Sequence, residues 1–327
     1  MRGPRLERNL SVPATMAAYL IRRLWQMVPT LFGVMLLVFF LFKTFGGDPA
    51  EILGGLNATP EQVHAIREQL GLNEPLWVQF GIFLKQVATF DWGRSWATNE
   101  SVATLFATRL PATLTVMTPI LILDVLLAIP GALAVAYVRG SLTDRTIMII
   151  STLALSISFL VYVIVGQYVF AFQLGWFPVQ GWSNSLWTNL TVYAPLPVML
   201  AVLVGMAPQT RLYRSFFLDE IGQDYVRTAR AQGRTEPVVL LRHVLRNAMI
   251  PILTNVAVAL PGIFVGSFLI ETFFSIPGLG REVLLAVNRS DYPVIQAVTI
   301  YLAVITMAVN LATDVLYTFV DPRVVLK

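Results

Sequence analysis

The chain of 327 residues contains no cysteine, which excludes disulfides, thiolate metal sites and cysteine nucleophiles. Histidine is almost as scarce: the two, His64 and His243, lie in different polar segments without metal-ligand spacing. Charge is also scarce. Charged residues make up 13% of the chain, roughly half of the ~25% carried by soluble domains. No G-x-x-x-x-G-K-[ST] phosphate loop occurs, so the chain carries no nucleotide-hydrolysing motif of that kind.

What is present is apolar. The hydrophobic fraction is 56% and the mean hydropathy is +0.69, the composition of an all-α integral membrane protein. A span takes about 20 mostly apolar residues. "LWQMVPTLFGVMLLVFFLF" (Leu24 to Phe42) is too long for a signal-peptide core and has no small-residue cleavage site after it, so it reads as an uncleaved first helix. Five further spans are predicted near Pro111–Val138, Thr146–Phe172, Leu190–Thr210, Ala248–Ile270 and Val294–Phe319.

Arginine placement orients these six spans. The N-terminal tail carries Arg2, Arg5, Arg8, Arg22 and Arg23 against Glu7 alone. Arg139 and Arg145 follow span two; Arg211, Arg214, Arg227, Arg230, Arg234, Arg242 and Arg246 follow span four. The segment after span one is acidic, with Asp48, Glu51, Glu61, Glu68, Glu74, Asp91 and Glu100 outweighing Arg67, Lys85 and Arg94. The connection after span three is uncharged. Alternating basic connections predict both termini in the cytoplasm, and they make the pI near 9.5 a topology signal rather than one for nucleic acid. The boundaries expected are a tail at 1–23, a first transmembrane helix at 24–45, an extracytoplasmic helical segment at 46–108, a core of five spans at 109–320 and a tail at 321–327. A cytoplasmic loop at 211–248 falls inside the core.

In the outer segment, "TPEQVHAIREQLG" predicts a helix with Thr59 as N-cap, Pro60 in the first turn, Gln62 completing a capping box and Gly71 closing it. "EPLWVQFGIFLKQVATF" predicts an amphipathic helix lying on the outer face. The segment reads either as a packed cap or as a rim for a soluble partner.

The most basic stretch is "DYVRTARAQGRTEPVVLLRHVLRNAMIP", Asp224 to Pro251. Arg227, Arg230 and Arg234 are spaced as one stripe of a helix. Gly233 suits the position past its end, Thr235 the cap of a second helix and Pro237 its first turn. Val238, Leu241, Leu245 and Ala248 would share one face of that second helix, Arg242 and Arg246 another. Such an island can neutralise lipid phosphates, read DNA as a helix-turn-helix or dock into a soluble partner. A membrane span starting within a few residues of Arg246 disfavours DNA.

The island resembles the cytoplasmic coupling loop of the dipeptide/oligopeptide branch of the ABC importer permeases. The matching positions are Asp224, Tyr225, Arg227, Thr228, Ala229, Arg230, Ala231 and Gly233, then Arg242, His243, Leu245, Arg246, Asn247, Ala248 and Pro251. Gln232 and Arg234 depart mildly from the usual pattern. Further segments resemble the family in its own order: "LIRRLWQMVPTLFGV", "GGDPA" with Gly46 in place of a proline, "ETFFSIPGLG", "RSDYPVIQ" and "NLATDVLYTFVDPR". The resemblance implies a type I importer permease fold in the bacterial inner membrane. It further implies a second permease subunit, two ATPase subunits that bind ATP and Mg, and an extracytoplasmic peptide-binding protein. This chain would be a transport subunit without catalytic, cofactor or metal residues of its own, and its cargo would be peptide, with nickel, glutathione or oligosaccharides carried by related permeases. A self-sufficient secondary transporter is the reading of a different class; it predicts an internal repeat or paired midplane charges.

Ionisable residues within or near spans cost free energy and need a reason. Asp124, in "PILILDVLLAIPG", is either a pathway carboxylate for a peptide amine or an interhelix contact. Glu271 and Asp314 match the family signatures near span ends, where structural partners are expected. Lys43 would snorkel to the interface. Pro195, Pro197 and Pro208 in span four, with Pro261, Gly262 and Gly266 in span five, would break regular helix, either as cavity lining or as ordinary kinks.

Overall fold

The computed structural model describes residues 12–55 and 58–320. Arg2, Arg5, Arg8 and the Asp321–Arg323 end of the last family motif lie outside the described residues. The chain divides into two compact units, one holding the residues up to 85 together with those from 299 onward, the other residues 86–298. Among the described residues the architecture is helical; extended pairing is confined to one antiparallel bridge between Arg94 and Ser101.

The first unit begins with α1 (Val12–Phe45), apolar from Tyr19 onward. A turn leads into α2 (Pro49–Gly54), capped by Asp48, which accepts from the Ala50 amide at 2.9 Å and pairs with Arg67 of α3 (Pro60–Gln69). The capping box expected for α3 forms: the Gln62 amide donates to Thr59 Oγ1 at 3.3 Å, and the Thr59 amide donates to Gln62 Oε1 at 3.0 Å. Gly71 follows at φ +64. In α4 (Leu76–Ala88), Phe80 meets Phe32 and Phe39 of α1 edge-on at 5.8 and 5.2 Å. The Lys43 ammonium donates to Gln79 Oε1 at 3.0 Å.

The second unit is built on α5 (Val102–Tyr137), 36 residues and about 54 Å long. It starts nine residues earlier than the expected Pro111, because Ser101 ends the preceding loop in extended conformation. The third expected span is not one straight helix. α6 (Leu142–Ser156) and α7 (Phe159–Gly166, continuing as a π-helical turn through Gln173) meet at 91°. Ile157 and Ser158 take extended conformations there, and Tyr162 braces the corner by donating to the Ala154 carbonyl at 3.0 Å. Among the described residues five helices are long and apolar enough to cross a membrane, and six if this bent pair counts as one span.

Short α8 (Leu186–Thr188) enters a second π-helical turn (Asn189–Tyr193), so α9 (Pro195–Ile221) begins and ends later than the expected Leu190–Thr210. Pro195 and Pro197 therefore fall in its first turn, where missing N–H groups cost little, and break nothing; Pro208 alone lies inside. Arg211 and Arg214, expected in a loop, are helical. The main packing of this unit is α5 on α9, with α6 and α12 added to it.

The basic stretch forms α10 (Asp224–Ala231) and α11 (Glu236–Val238); α11 passes through a third π-helical turn (Val239–Val244) into α12 (Leu245–Val265). Gly266 stops α12 as expected, while Pro261 and Gly262 remain within it. Short α13 (Phe268–Phe273), α14 (Leu279–Asn288) and α15 (Tyr292–Val320) complete the chain, α15 running from the second unit into the first.

Candidate functional site

α10 buries Val226 and Ala229 and turns its arginines outward. Its end is fixed by two backbone hydrogen bonds: the Gly233 amide donates to the Arg230 carbonyl at 2.9 Å and the Arg234 amide to the Ala229 carbonyl at 3.4 Å. This is a Schellman closure, which places its C′ residue in the left-handed region; Gly233 is at φ +76. A Cβ there would meet nothing within 4 Å, so the need for glycine is conformational, not steric.

Thr235 has the extended backbone of an N-cap, but its side chain caps nothing; Glu236 instead takes a two-pronged bond from Arg230 at 2.8 and 3.3 Å. The inward face of the second helix also differs from expectation. Val239, Val244, Ala248 and Ile252 are buried, whereas Val238 and Leu241 are exposed. The step of five from Val239 to Val244 is the signature of the π-helical turn, whose extra residue rotates the face by one position. An ideal helix could not have revealed it.

These buried side chains form one cluster with Ala128, Ala132, Leu133 and Ala136 of α5 and Tyr213 and Phe217 of α9. Tyr225 seals its edge: the phenol donates to Glu220 and also hydrogen-bonds the Asn247 side chain. Burial, reinforced by the Glu220 carboxylate, pushes the Tyr225 hydroxyl up to about 12, so it stays a donor. The outer surface is the opposite in character. Asp224, Arg227, Thr228, Arg230, Ala231, Arg234, Arg242, Arg246 and Asn247 are all exposed, with Leu241 59% exposed among them. Arg227 pairs only with Asp224, at 3.4 Å, and Arg234, Arg242 and Arg246 have no carboxylate in ion-pair range among the described residues. His243 is half-buried beside them, and Pro251 lies inside α12.

The three singled-out carboxylates are held in separate environments. Asp124 is buried in mid-α5, its Oδ1 without a hydrogen-bond partner among the described residues. Gly205 of α9 approaches so closely that a Cβ there would lie 3.0 Å from that oxygen. Glu271 is 1% exposed. It accepts from Thr113 Oγ1 of α5 at 2.9 Å and from the Arg281 amide at 2.7 Å, while Thr113 Oγ1 accepts from the Leu279 amide at 2.8 Å. Gly266 and Gly278 leave room for its carboxyl, since a Cβ would come within 2.3 and 2.4 Å of it. The "SIPGLG" loop is thus wrapped around one buried carboxyl. In the first unit, Asp314 accepts from Tyr19 at 2.8 Å and pairs with Arg23 at 3.0 Å. Among the described residues no three acidic, histidine or cysteine side chains converge as metal ligands.

Two anchoring acids escaped the sequence reading. Asp144 takes both prongs of Arg214, at 2.8 and 2.7 Å, and accepts from the Gly140 amide at 2.9 Å. Asp291 accepts from Ser95 and from the Trp96 and Ala97 amides, the latter two at 3.0 and 3.4 Å. The Ser141-x-x-Asp144 spacing could have flagged a helix start, but nothing local could have named Arg214 as partner.

Residues 128–326 match the family described as binding-protein-dependent transport system inner membrane component, and residues 16–117 match the N-terminal family of the same components. The chain belongs to this family. The permease is 32% identical to a dipeptide transport system permease of Alkalihalophilus pseudofirmus and 36% identical to one of Lactococcus lactis subsp. cremoris. It is 34% identical to a glutathione transport system permease of Shigella boydii; each comparison covers 94% of this chain and 99% of the relative. The permease is therefore a multi-pass inner-membrane component of an ABC transport system, a transport subunit rather than a catalytic enzyme.

Proposed function

We propose that the permease forms half of the translocation pathway of an ATP-driven importer for di- and oligopeptides, and that α10, Gly233 and the following π-helical segment are the element gripped by a separate ATPase subunit. The carrying observation is the two-faced packing of this element. Val226 and Ala229 lie in the same buried cluster as residues of α5, α9 and α12, so a push on α10 moves three long helices together. Its other face offers exposed cations and Leu241, a surface suited to a protein groove. Asp224, Tyr225, Arg227, Arg230 and Gly233 with Arg242, His243, Arg246 and Asn247 make up the contact and its internal bracing. The arginine distribution supports placing this face, and both termini, in the cytoplasm.

ATP and Mg belong to the partner subunits in this reading, and cargo arrives from an extracytoplasmic binding protein, with a second permease completing the pathway. Peptide cargo is favoured by the names of several relatives; the glutathione permease among them supports a second reading with a small peptide-like solute. Uptake of labelled dipeptide, pentapeptide and glutathione by a deletion strain carrying the gene on a plasmid separates these cargoes. Uphill transport by this chain reconstituted without any companion subunit would refute the coupling role and favour a self-sufficient transporter.

A further inference from the structure

An open groove of about 820 Å³ runs between α5, α6 and α9, within the ~300–1,000 Å³ range of sites that enclose whole ligands. Its walls are apolar, Leu123, Leu127, Ile150, Leu203 and Met206 among them. Its two hydroxyl-bearing residues, Ser151 and Thr210, are buried. A peptide lying here would leave its amides without partners, whereas a hydrocarbon chain has none to satisfy.

The α9 wall ends at Thr210, and the next residue, Arg211, leans across to α6, donating to Thr152 Oγ1 at 3.2 Å. Thr152 follows directly on Ser151 of the groove wall. Arg211 has no carboxylate in ion-pair range among the described residues, unlike Arg214 three residues on, which is fully paired to Asp144. A guanidinium has five N–H donors in a planar fork that fits phosphate oxygens two at a time, and the contact to Thr152 leaves most of them free. Arg145, also without a carboxylate partner among the described residues, lies two helical turns before Thr152 on α6.

We infer that this groove is a binding site for one anionic phospholipid, an acyl chain lying against Leu123, Leu203 and Met206 and the head-group phosphate held by the free N–H groups of Arg211, which Thr152 positions. A cation without an acidic partner at the groove's end favours a net-negative lipid over a zwitterionic one, because a choline head group brings a positive charge to the same place.

The test uses the complete complex with its partner subunits, reconstituted in phosphatidylcholine vesicles with or without phosphatidylglycerol and extracted for native mass spectrometry. Wild type is expected to retain phosphatidylglycerol in preference to phosphatidylcholine of the same chain length. Arg211→Gln, at an exposed position that leaves folding intact, should retain about fivefold less, and Arg211→Lys most of the wild-type amount. Leu203→Trp, filling the groove from an exposed site, should displace the lipid. Equal retention of the two lipids by wild type, or equal phosphatidylglycerol in Arg211→Gln, would overturn the assignment. So would undiminished retention in Leu203→Trp, or efficient cross-linking of Leu203→Cys to the second permease subunit in native membranes, which would make the occupant a protein.

Discussion

Thr113 of α5 and Glu271 of α13, 158 positions apart, share a buried hydrogen bond of 2.9 Å, and the same threonine oxygen accepts from the Leu279 amide. One hydroxyl therefore joins a long helix to both ends of the glycine-rich loop that follows α13. Thr113→Val removes it without changing shape, leaving the Leu279 amide unsatisfied at about 1–3 kcal/mol and taking one of several donors from the Glu271 carboxyl. A lowered unfolding temperature of the purified complex is expected, with Thr113→Ser close to wild type. An unchanged midpoint for the valine variant would mean that the bond does not hold this loop.

At Gly233 a Cβ has open space around it, but few residues other than glycine tolerate the backbone. The left-handed region costs an L-residue roughly 1–2 kcal/mol, least for asparagine. Gly233→Val is expected to insert normally and lose uptake while ATP hydrolysis by the partner subunits continues uncoupled; Gly233→Asn should retain most uptake. Parallel assays of uptake, ATPase activity and membrane content check this. Equal uptake by valine and asparagine variants would contradict a conformational requirement.

Arg214 and Asp144 tie α9 to the start of α6 through two short, half-buried bonds. Removing Arg214 leaves the Asp144 carboxylate without its partner. Arg214→Ala should be poorly assembled and rapidly degraded. Arg214→Lys, which cannot make the two-pronged contact, should be intermediate, and Asp144→Asn with Arg214→Gln should recover part of the loss. Quantitative blotting of assembled complex ranks the three against wild type.

Asp48 lies outside the spans, where pH reaches it directly. Burial raises its carboxyl, but the Arg67 guanidinium and the Ala50 amide outweigh this and hold it below the ordinary value of 3.8. A depressed native value stabilises the folded form above the ordinary value, and the contribution is lost as pH falls through the native one. Protease resistance of the α2–α3 segment should therefore fall on acidification below the ordinary carboxyl value of 3.8, and Asp48→Asn should abolish that dependence. A wild-type segment equally resistant at both ends of the range would remove the ion pair from its stability.

The sequence by itself determined the elements whose signals are local. Thr59, Gln62 and Gly71 place α3 because capping is satisfied within one turn. Gly233 marks the end of α10 because only its own backbone must turn. Long apolar runs give the spans because lipid accepts little else. Tertiary structure decided whatever depends on a neighbour distant in sequence or on a departure from regular geometry. The 91° corner at Ile157–Ser158 interrupts an apolar run that hydropathy reads as continuous. The π-helical turn exchanges Val238 and Leu241 for Val239 and Val244, because one additional residue per turn shifts which side chains face the core. Arg214 with Asp144, Thr113 with Glu271 and Asp291 with the loop at Ser95 are pairings across the fold. A buried carboxylate announces that it needs a partner; the chain's path through space chooses which one.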